Sequence, residues 1–286
     1  MSVSAESVIN YLHQLEVQGQ THVNVDDEAR LILRDFYINA TQKKEVVSAK
    51  EPVIDPIKIN ENTPSNDLKS ELIKPIIKGG NAEEKILSLK QQAARWQPAR
   101  ELGTLRQTLV FSTGNPNADI MLVGEAPGFD DERLGEPLVG KAGQKLDGIL
   151  VAMGLSRDQV YITNLVKFRP SMPNQTASNR KPSVEEIKVC EALFHEELKI
   201  VRPKVIIALG VTPAQVLLNS EVSVKELRGQ LYDYLGTPLR VTYHPSYILH
   251  DGNTPEKREL WEDMLAVMEL LQLPISEKQL GYFLKK

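Results

Sequence analysis

Ile120-Met121-Leu122-Val123-Gly124-Glu125-Ala126-Pro127-Gly128 decides the fold. Four consecutive apolar residues read as a strand buried on both faces, and the Gly-acid-small-Pro-Gly sequence that ends it forms a tight turn presenting one carboxylate. Open α/β folds place their ligands at strand ends of this kind. Two later stretches repeat the pattern with other chemistry: Val160-Tyr161-Ile162 runs into Thr163-Asn164, and Leu239-Arg240-Val241-Thr242-Tyr243 runs into His244-Pro245-Ser246. A carboxylate, an amide and an imidazole thus stand at the ends of three separate strands.

The pattern around these strands is regular from about residue 82 onward. Helices are expected over residues 83–96, 142–153, 184–201, 213–218 and 255–273, alternating with strands over 109–111, 119–123, 160–166, 205–209 and 239–243. Near-continuously apolar strands alternating with helices indicate a parallel sheet covered on both faces. Ser183-Val184-Glu185-Glu186 reads as a capping box, and Thr254-Pro255 as an N-cap followed by proline at the first helical position. Before this domain, residues 1–40 form a short helical extension, with apolar periodicity in 4–17 and 29–38. Residues 41–81, rich in Lys, Glu, Pro and Asn, read as a flexible linker whose isoleucines, Ile76 and Ile77 among them, can clamp onto the main domain. The extension is either a docking element for a partner protein or a plain terminal appendage.

The chain of 286 residues is long enough for one sizeable core and an appendage. Its start, Met1-Ser2-Val3-Ser4-Ala5-Glu6, lacks the basic and apolar regions of a secretory signal, so a cytoplasmic location is expected. A single cysteine, Cys190, allows no intramolecular disulfide and reads as a small buried residue on a helix. The net charge of −4 argues against a protein that coats nucleic acid without specificity. Locally the balance reverses: no acid lies between Asp158 and Glu185, while Lys167, Arg169, Arg180 and Lys181 do, which suits a polyanion.

A Gly-rich turn after a strand often binds phosphate. Here both the G-x-G-x-x-G and G-x-x-x-x-G-K-[ST] spacings are missing, and Pro127 removes a backbone donor that such a cradle needs. The turn instead suits a flat, neutral ligand held against Glu125. Asp130, Asp131 and Glu132 add carboxylates, and Gly140-Lys141-Ala142-Gly143-Gln144 opens the next helix with positive potential.

These residues carry a resemblance. Gly124-Glu125-Ala126-Pro127-Gly128, the stretch from Gly135 to Gln144, Tyr161-Ile162-Thr163-Asn164-Leu165-Val166-Lys167, Arg169-Pro170, Asn179-Arg180, Leu209-Gly210, Arg228-Gly229 and Tyr243-His244-Pro245-Ser246 occur in the order seen in uracil-DNA glycosylases. The chain is most similar to family 4, over about residues 114–263. The resemblance implies a three-layer α/β/α domain over residues 82–286 with a central, mainly parallel four-stranded sheet. It also implies removal of uracil, or a related deaminated base, from DNA to leave an abasic site in base excision repair. Such an enzyme swings the nucleotide out of the helix, reads its polar edge and cleaves the glycosidic bond while charge collects on the leaving base. Asn164 stands at the family's base-reading position, with Ala126 and Leu138 as further uracil contacts. His244 suits hydrogen bonding to uracil O2, and Glu125, with Asp131, suits water positioning or stabilisation of a cationic sugar. Lys141, Lys167, Arg169, Arg180 and Ser246 are suited to DNA phosphates, and Ile248 to the gap left by a flipped base. No metal is required, and a monomer acting on uracil-containing DNA is expected.

The chain also departs from the family. Family 4 proteins hold an iron-sulfur cluster on four cysteines. Alignment outward from Gly114-Asn115-Pro116 puts Gln97, Arg100 and Phe168 at three of those positions and retains only Cys190, so the cluster is expected to be absent and replaced by packing around Trp96 and Phe168. Leu138 stands where the family stacks a phenylalanine on uracil. Asp131-Glu132 reverses a usual Glu-Asp order, and His250 replaces a usual arginine. Residues 172–181 contain no histidine of the kind that traps some relatives on DNA. These departures leave a second reading open, a catalytically weak homologue that binds DNA or a replication or repair partner.

Overall fold

The computed structural model describes residues 74–249 and 255–284, all within one compact unit spanning Asp67–Lys286. The extension expected over 1–40, most of the linker and His250 lie outside the described residues. Residues 74–81 are held against the first helix, α1 (Ala82–Ala93). Ile76 and the Gln92 side chain exchange two hydrogen bonds, at 2.8 and 2.7 Å, and Ile77 packs on the core. Asn81 caps α1 by accepting from the Glu84 N–H.

After α1 come α2 (Gln97–Leu102), β1 (Leu105–Leu109), β2 (Ser112–Gly114), β3 (Ile120–Gly124), α3 (Phe129–Leu134), α4 (Lys141–Ala152), β4 (Tyr161–Asn164), β5 (Phe168–Pro170) and α5 (Val184–Val201). The chain continues with β6 (Val205–Leu209), α6 (Val211–Leu218), α7 (Val224–Leu227), β7 (Leu231–Tyr234), β8 (Thr237–Thr242), a 3-10 turn (Pro245–Ile248), α8 (Pro255–Leu270) and α9 (Glu277–Leu280). The main sheet has six strands in the order β2-β4-β3-β6-β8-β7. Its inner four, β4, β3, β6 and β8, are parallel and correspond to four of the five expected strands; the fifth, expected over 109–111, falls instead on the last residue of β1 and the break before β2.

The two additional strands, β2 and β7, pair antiparallel at the edges. Edge strands are half-solvated, so Leu231–Tyr234 alternates between exposed and partly buried and lacks the apolar run that marks a central strand. The strand expected over 160–166 is shorter, β4 ending at Asn164, and the chain then leaves the main sheet so that Phe168–Pro170, not expected as a strand, joins β1 in a separate two-stranded sheet.

In chain order β3 comes first, β4 lies to one side of it, and β6 and β8 lie to the other. The direction of winding therefore reverses between β3 and β6. Ligands of open α/β sheets enter beyond the carboxyl ends of strands at such a reversal. The interiors of β3 and β6 are apolar, and Glu125, Asn164 and His244 all lie at or just beyond the carboxyl ends of their strands.

Candidate active site

A cavity of about 530 Å³ opens beyond the carboxyl ends of β3, β6 and β8. Glu125 and Ala126 enter it from the end of β3, Gly210 and Val211 from β6, and His244 and Ser246 from β8. Leu138, Asp131 and the first turn of α4 form one wall; Asn179, Arg180 and Lys181 form another. Gly210 makes the junction possible. With φ of +97° it lies in a region other residues avoid, and a Cβ there would stand 3.0 Å from His244 Cβ.

Asn164 is not a lining residue. It is level with Gly124 in the parallel register of β3 and β4, behind Gly124 and close to Leu138, whose Cδ1 would be 3.6 Å from a Cβ on Gly124. Its Nδ2 is buried and has no hydrogen-bond partner, and the same is true of Glu125 Oε1. Buried polar atoms are rarely left unpaired, because each costs about 1–3 kcal/mol. Two such atoms stand on adjoining strand ends; a third is Gln175 Oε1.

The electrostatics follow from burial. Desolvation raises the Glu125 carboxyl above its ordinary value, opposed by a hydrogen bond from Thr212 and by the charge of Lys181. Desolvation also lowers the His244 imidazole, opposed by Asp131. The Ser246 N–H donates to His244 Nδ1 at 3.2 Å, and Ser246 Oγ lies 2.7 Å from the same nitrogen. Nδ1 is therefore an acceptor, and a neutral ring carries its proton on Nε2.

Asp131 lines the cavity with both oxygens engaged: Oδ2 accepts from the Gly128 N–H at 3.1 Å and Oδ1 from the Val139 N–H at 2.8 Å. It ties the Gly128 turn to the loop carrying Leu138. Leu138 itself is buried with a positive φ of 54°.

Three expected DNA contacts are placed elsewhere. Lys167 is fully buried and ion-paired with Glu197. Arg169, 1% exposed, binds Glu132 at 3.0 Å, the carbonyls of Thr176 and Ser178 at 2.8 and 2.7 Å, and Asn179 Oδ1 at 3.0 Å. It folds the 171–180 loop onto the cavity wall and offers no phosphate a surface. Ile248 is buried in the core, whereas the adjacent Tyr247 is 60% exposed and stacks on Tyr243 at 5.0 Å. Charge and hydrophobicity along a sequence do not reveal which side of a loop faces water. Arg180 lines the cavity but is held by a bidentate pair with Glu186, at 2.5 and 2.8 Å. Lys141 and Ser246 are exposed at the rim.

Thr212 was missed, though it stands three residues beyond β6 and obeys the same strand-end rule that found the others. Lys181, exposed beside Glu125, was visible only as part of the basic window.

The family profile described as the uracil DNA glycosylase superfamily matches residues 111–265, more than half of the chain. The chain belongs to that superfamily.

It is 34% identical over 183 residues to the Type-4 uracil-DNA glycosylase of Thermotoga maritima, covering 63% of this chain and 92% of that protein. Against the Type-4 enzyme of Archaeoglobus fulgidus identity is 37% over 179 residues, 59% of this chain and 85% of the other. Against that of Saccharolobus solfataricus it is 38% over 180 residues, 60% and 80%. Family 4 is thus the nearest branch in motif and in overall identity.

The iron-sulfur cluster of that branch does not fit the residues found here. Clusters need thiolate ligands. Three of the four positions hold Gln97, Arg100 and Phe168, with the Arg100 guanidinium 5.1 Å from the Phe168 ring centroid and donating to the Ala94 carbonyl at 3.0 Å. Burial pushes the remaining thiol, Cys190, up to about 11, so it is protonated. Trp96 closes the region by donating from Nε1 to the Val189 carbonyl at 2.6 Å.

Proposed function

We propose that the protein hydrolyses the N-glycosidic bond of uracil in DNA, leaving an abasic site as the first step of base excision repair. The observation that carries this is the pair of buried, unpartnered polar atoms, Glu125 Oε1 and Asn164 Nδ2, beside a neutral His244 at the switch point of the sheet. An isolated base offers matching groups: O4 and N3–H for an amide that donates and accepts, and O2 for the His244 Nε2–H.

The flipped uracil enters between Leu138 and the Glu125-Ala126 backbone, with Asn164 Nδ2 donating to O4 and Oδ1 accepting from N3–H. As the C1′–N1 bond breaks, its electron pair moves onto the uracil ring and its O2. The His244 Nε2–H stabilises that charge. Glu125 orients the attacking water and accepts its proton, and its negative charge stabilises the oxocarbenium-like sugar. Thr212 engages the Glu125 carboxylate, which leaves Oε1 for the water. Lys141, Lys181 and the free N–H groups at the start of α4 suit the flanking phosphates. Tyr247, rather than Ile248, is the side chain exposed to enter the gap in the duplex.

The test is incubation with a labelled uracil-containing oligonucleotide followed by alkali. Strand cleavage lost in Asn164→Ala and His244→Ala supports the reading. Tight binding without cleavage would instead favour the second reading, a DNA-binding homologue of low activity, which the aliphatic Leu138 supports.

A further inference from the structure

Lys167 and Glu197 form an ion pair in which neither side chain touches solvent. Burying two charges costs several kcal/mol each before their attraction is counted, and apolar residues of similar shape often serve stability as well or better. The pair therefore calls for a reason other than stability, and its hydrogen bonds supply one. Lys167 Nζ has three donors and three acceptors around it: the main-chain carbonyl of Asn164 at 2.7 Å, Thr163 Oγ1 at 2.7 Å and Glu197 Oε2. Glu197 Oε1 in turn accepts from the Tyr161 hydroxyl at 2.8 Å and from Thr163 Oγ1 at 3.0 Å. The rings of Phe111 and Phe194 flank the ammonium, at 5.3 and 5.9 Å.

The Lys167 bonds to Thr163 and Asn164 and the Glu197 bond to Thr163 meet at the last residues of β4. On its other side the same segment is stitched to β3: Leu165 N–H donates to the Gly124 carbonyl at 3.0 Å and Val166 N–H to the Glu125 carbonyl at 3.1 Å. The main chain of Asn164 is thus fixed from both sides while its side-chain Nδ2 is left without a partner. A short amide side chain has only two rotatable bonds, so its aim is set by the backbone that carries it.

We propose that Lys167, with Glu197 as its counter-ion, is a positioning residue for Asn164, holding its main-chain carbonyl so that the amide meets the base in one orientation. This rests on the reading of Asn164 as the base-reading residue. Lys167 acts through Asn164 and touches no substrate.

The experiment compares Lys167→Met, Glu197→Gln and Tyr161→Phe with wild type by thermal melting, titration with free uracil, single-turnover cleavage of a uracil oligonucleotide, and amide hydrogen exchange. Tyr161→Phe removes one bond to Glu197 away from Asn164, so it is expected to lower the melting temperature and leave uracil affinity unchanged. Lys167→Met is expected to weaken uracil binding and slow single-turnover cleavage by about tenfold or more. Its Leu165 and Val166 amides should exchange faster relative to that of Ile207 in the sheet centre. Glu197→Gln keeps a hydrogen-bonding side chain, gives the same trend more weakly and serves if Lys167→Met does not fold. Uracil affinity that follows melting temperature equally in all three variants would overturn the proposal. So would wild-type affinity in Lys167→Met. Should wild type neither bind nor cleave uracil, the functional reading fails, and unchanged protection at Leu165 and Val166 in Lys167→Met would independently overturn the positioning role.

Discussion

Asn164 Oδ1 occupies the space that a Cβ on Gly124 would need, so the residue proposed to read the base rests directly on the glycine that ends the neighbouring strand. The two are level in the parallel register of β3 and β4. Gly124→Ala is expected to force Asn164 aside. Overpacking of this kind costs about 1–3 kcal/mol, and cleavage of uracil-DNA should fall by more than the melting temperature alone explains. Single-turnover kinetics beside a thermal melt separates the two effects.

Glu125 yields a prediction with a sign. Its folded-state carboxyl is raised above the ordinary 4.5 by burial, with Thr212 and Lys181 opposing. A raised acid binds its proton more readily in the folded state, so its contribution to stability is present below the unfolded value and lost as pH rises through the folded one. Glu125→Gln should therefore be more stable than wild type near neutrality, with the difference closing as pH falls toward about 4.5. The same variant should lose about 100-fold or more in single-turnover rate. A Glu125→Gln protein less stable than wild type at neutral pH would contradict a carboxyl raised by desolvation.

His244 is lowered by desolvation and its Nδ1 accepts from Ser246 N–H, which makes Nε2–H the donor of a neutral ring. His244→Ala should slow bond cleavage by about 100- to 1000-fold, with a smaller change in affinity for intact DNA, since the hydrogen bond strengthens only as charge reaches uracil O2. Nitrogen NMR of the ring checks the tautomer directly.

Salt dependence separates exposed from buried cations. Lys181 is exposed at the cavity, whereas Lys167 and Arg169 are buried. Lys181→Ala should reduce the slope of log affinity against log salt by about 0.9 for duplex DNA if one phosphate contact is lost. A conservative change at Arg169 should leave that slope unaltered. The comparison is a DNA-binding titration at several salt concentrations.

Leu138 offers the base an apolar contact without an aromatic face. Leu138→Phe is expected to tighten uracil binding by about 0.5–1.5 kcal/mol, measured by titration with free uracil. Unchanged or weaker binding would show that the loop held by Asp131 leaves no room for a ring there.

Apolar runs made β3 and β6 legible, because residues buried on both faces tolerate little else, and β4 and β8 were legible from β-branched runs that the buried Thr163, Arg240 and Thr242 interrupt. The capping box at Ser183 likewise fixed the start of α5 at Val184. The edge strand β7 was not legible, since one solvated face dilutes its pattern. The short helices α2, α3, α7 and α9 were missed for a related reason: four to six residues span too few turns for a period to emerge.

Sequence by itself placed a carboxylate, an amide and an imidazole at or just beyond the ends of three strands. A strand run that ends in a polar group is a local event, written in consecutive residues, and Glu125, Asn164 and His244 are each such an event. Only the tertiary structure decided which cations face water. Lys167 and Arg169 look like neighbours of Arg180 and Lys181 in a basic stretch, yet Glu197 and Glu132, brought from 30 and 37 residues away, draw the first two inside. Charge pairing depends on what folding places opposite, and no spacing along the chain encodes that.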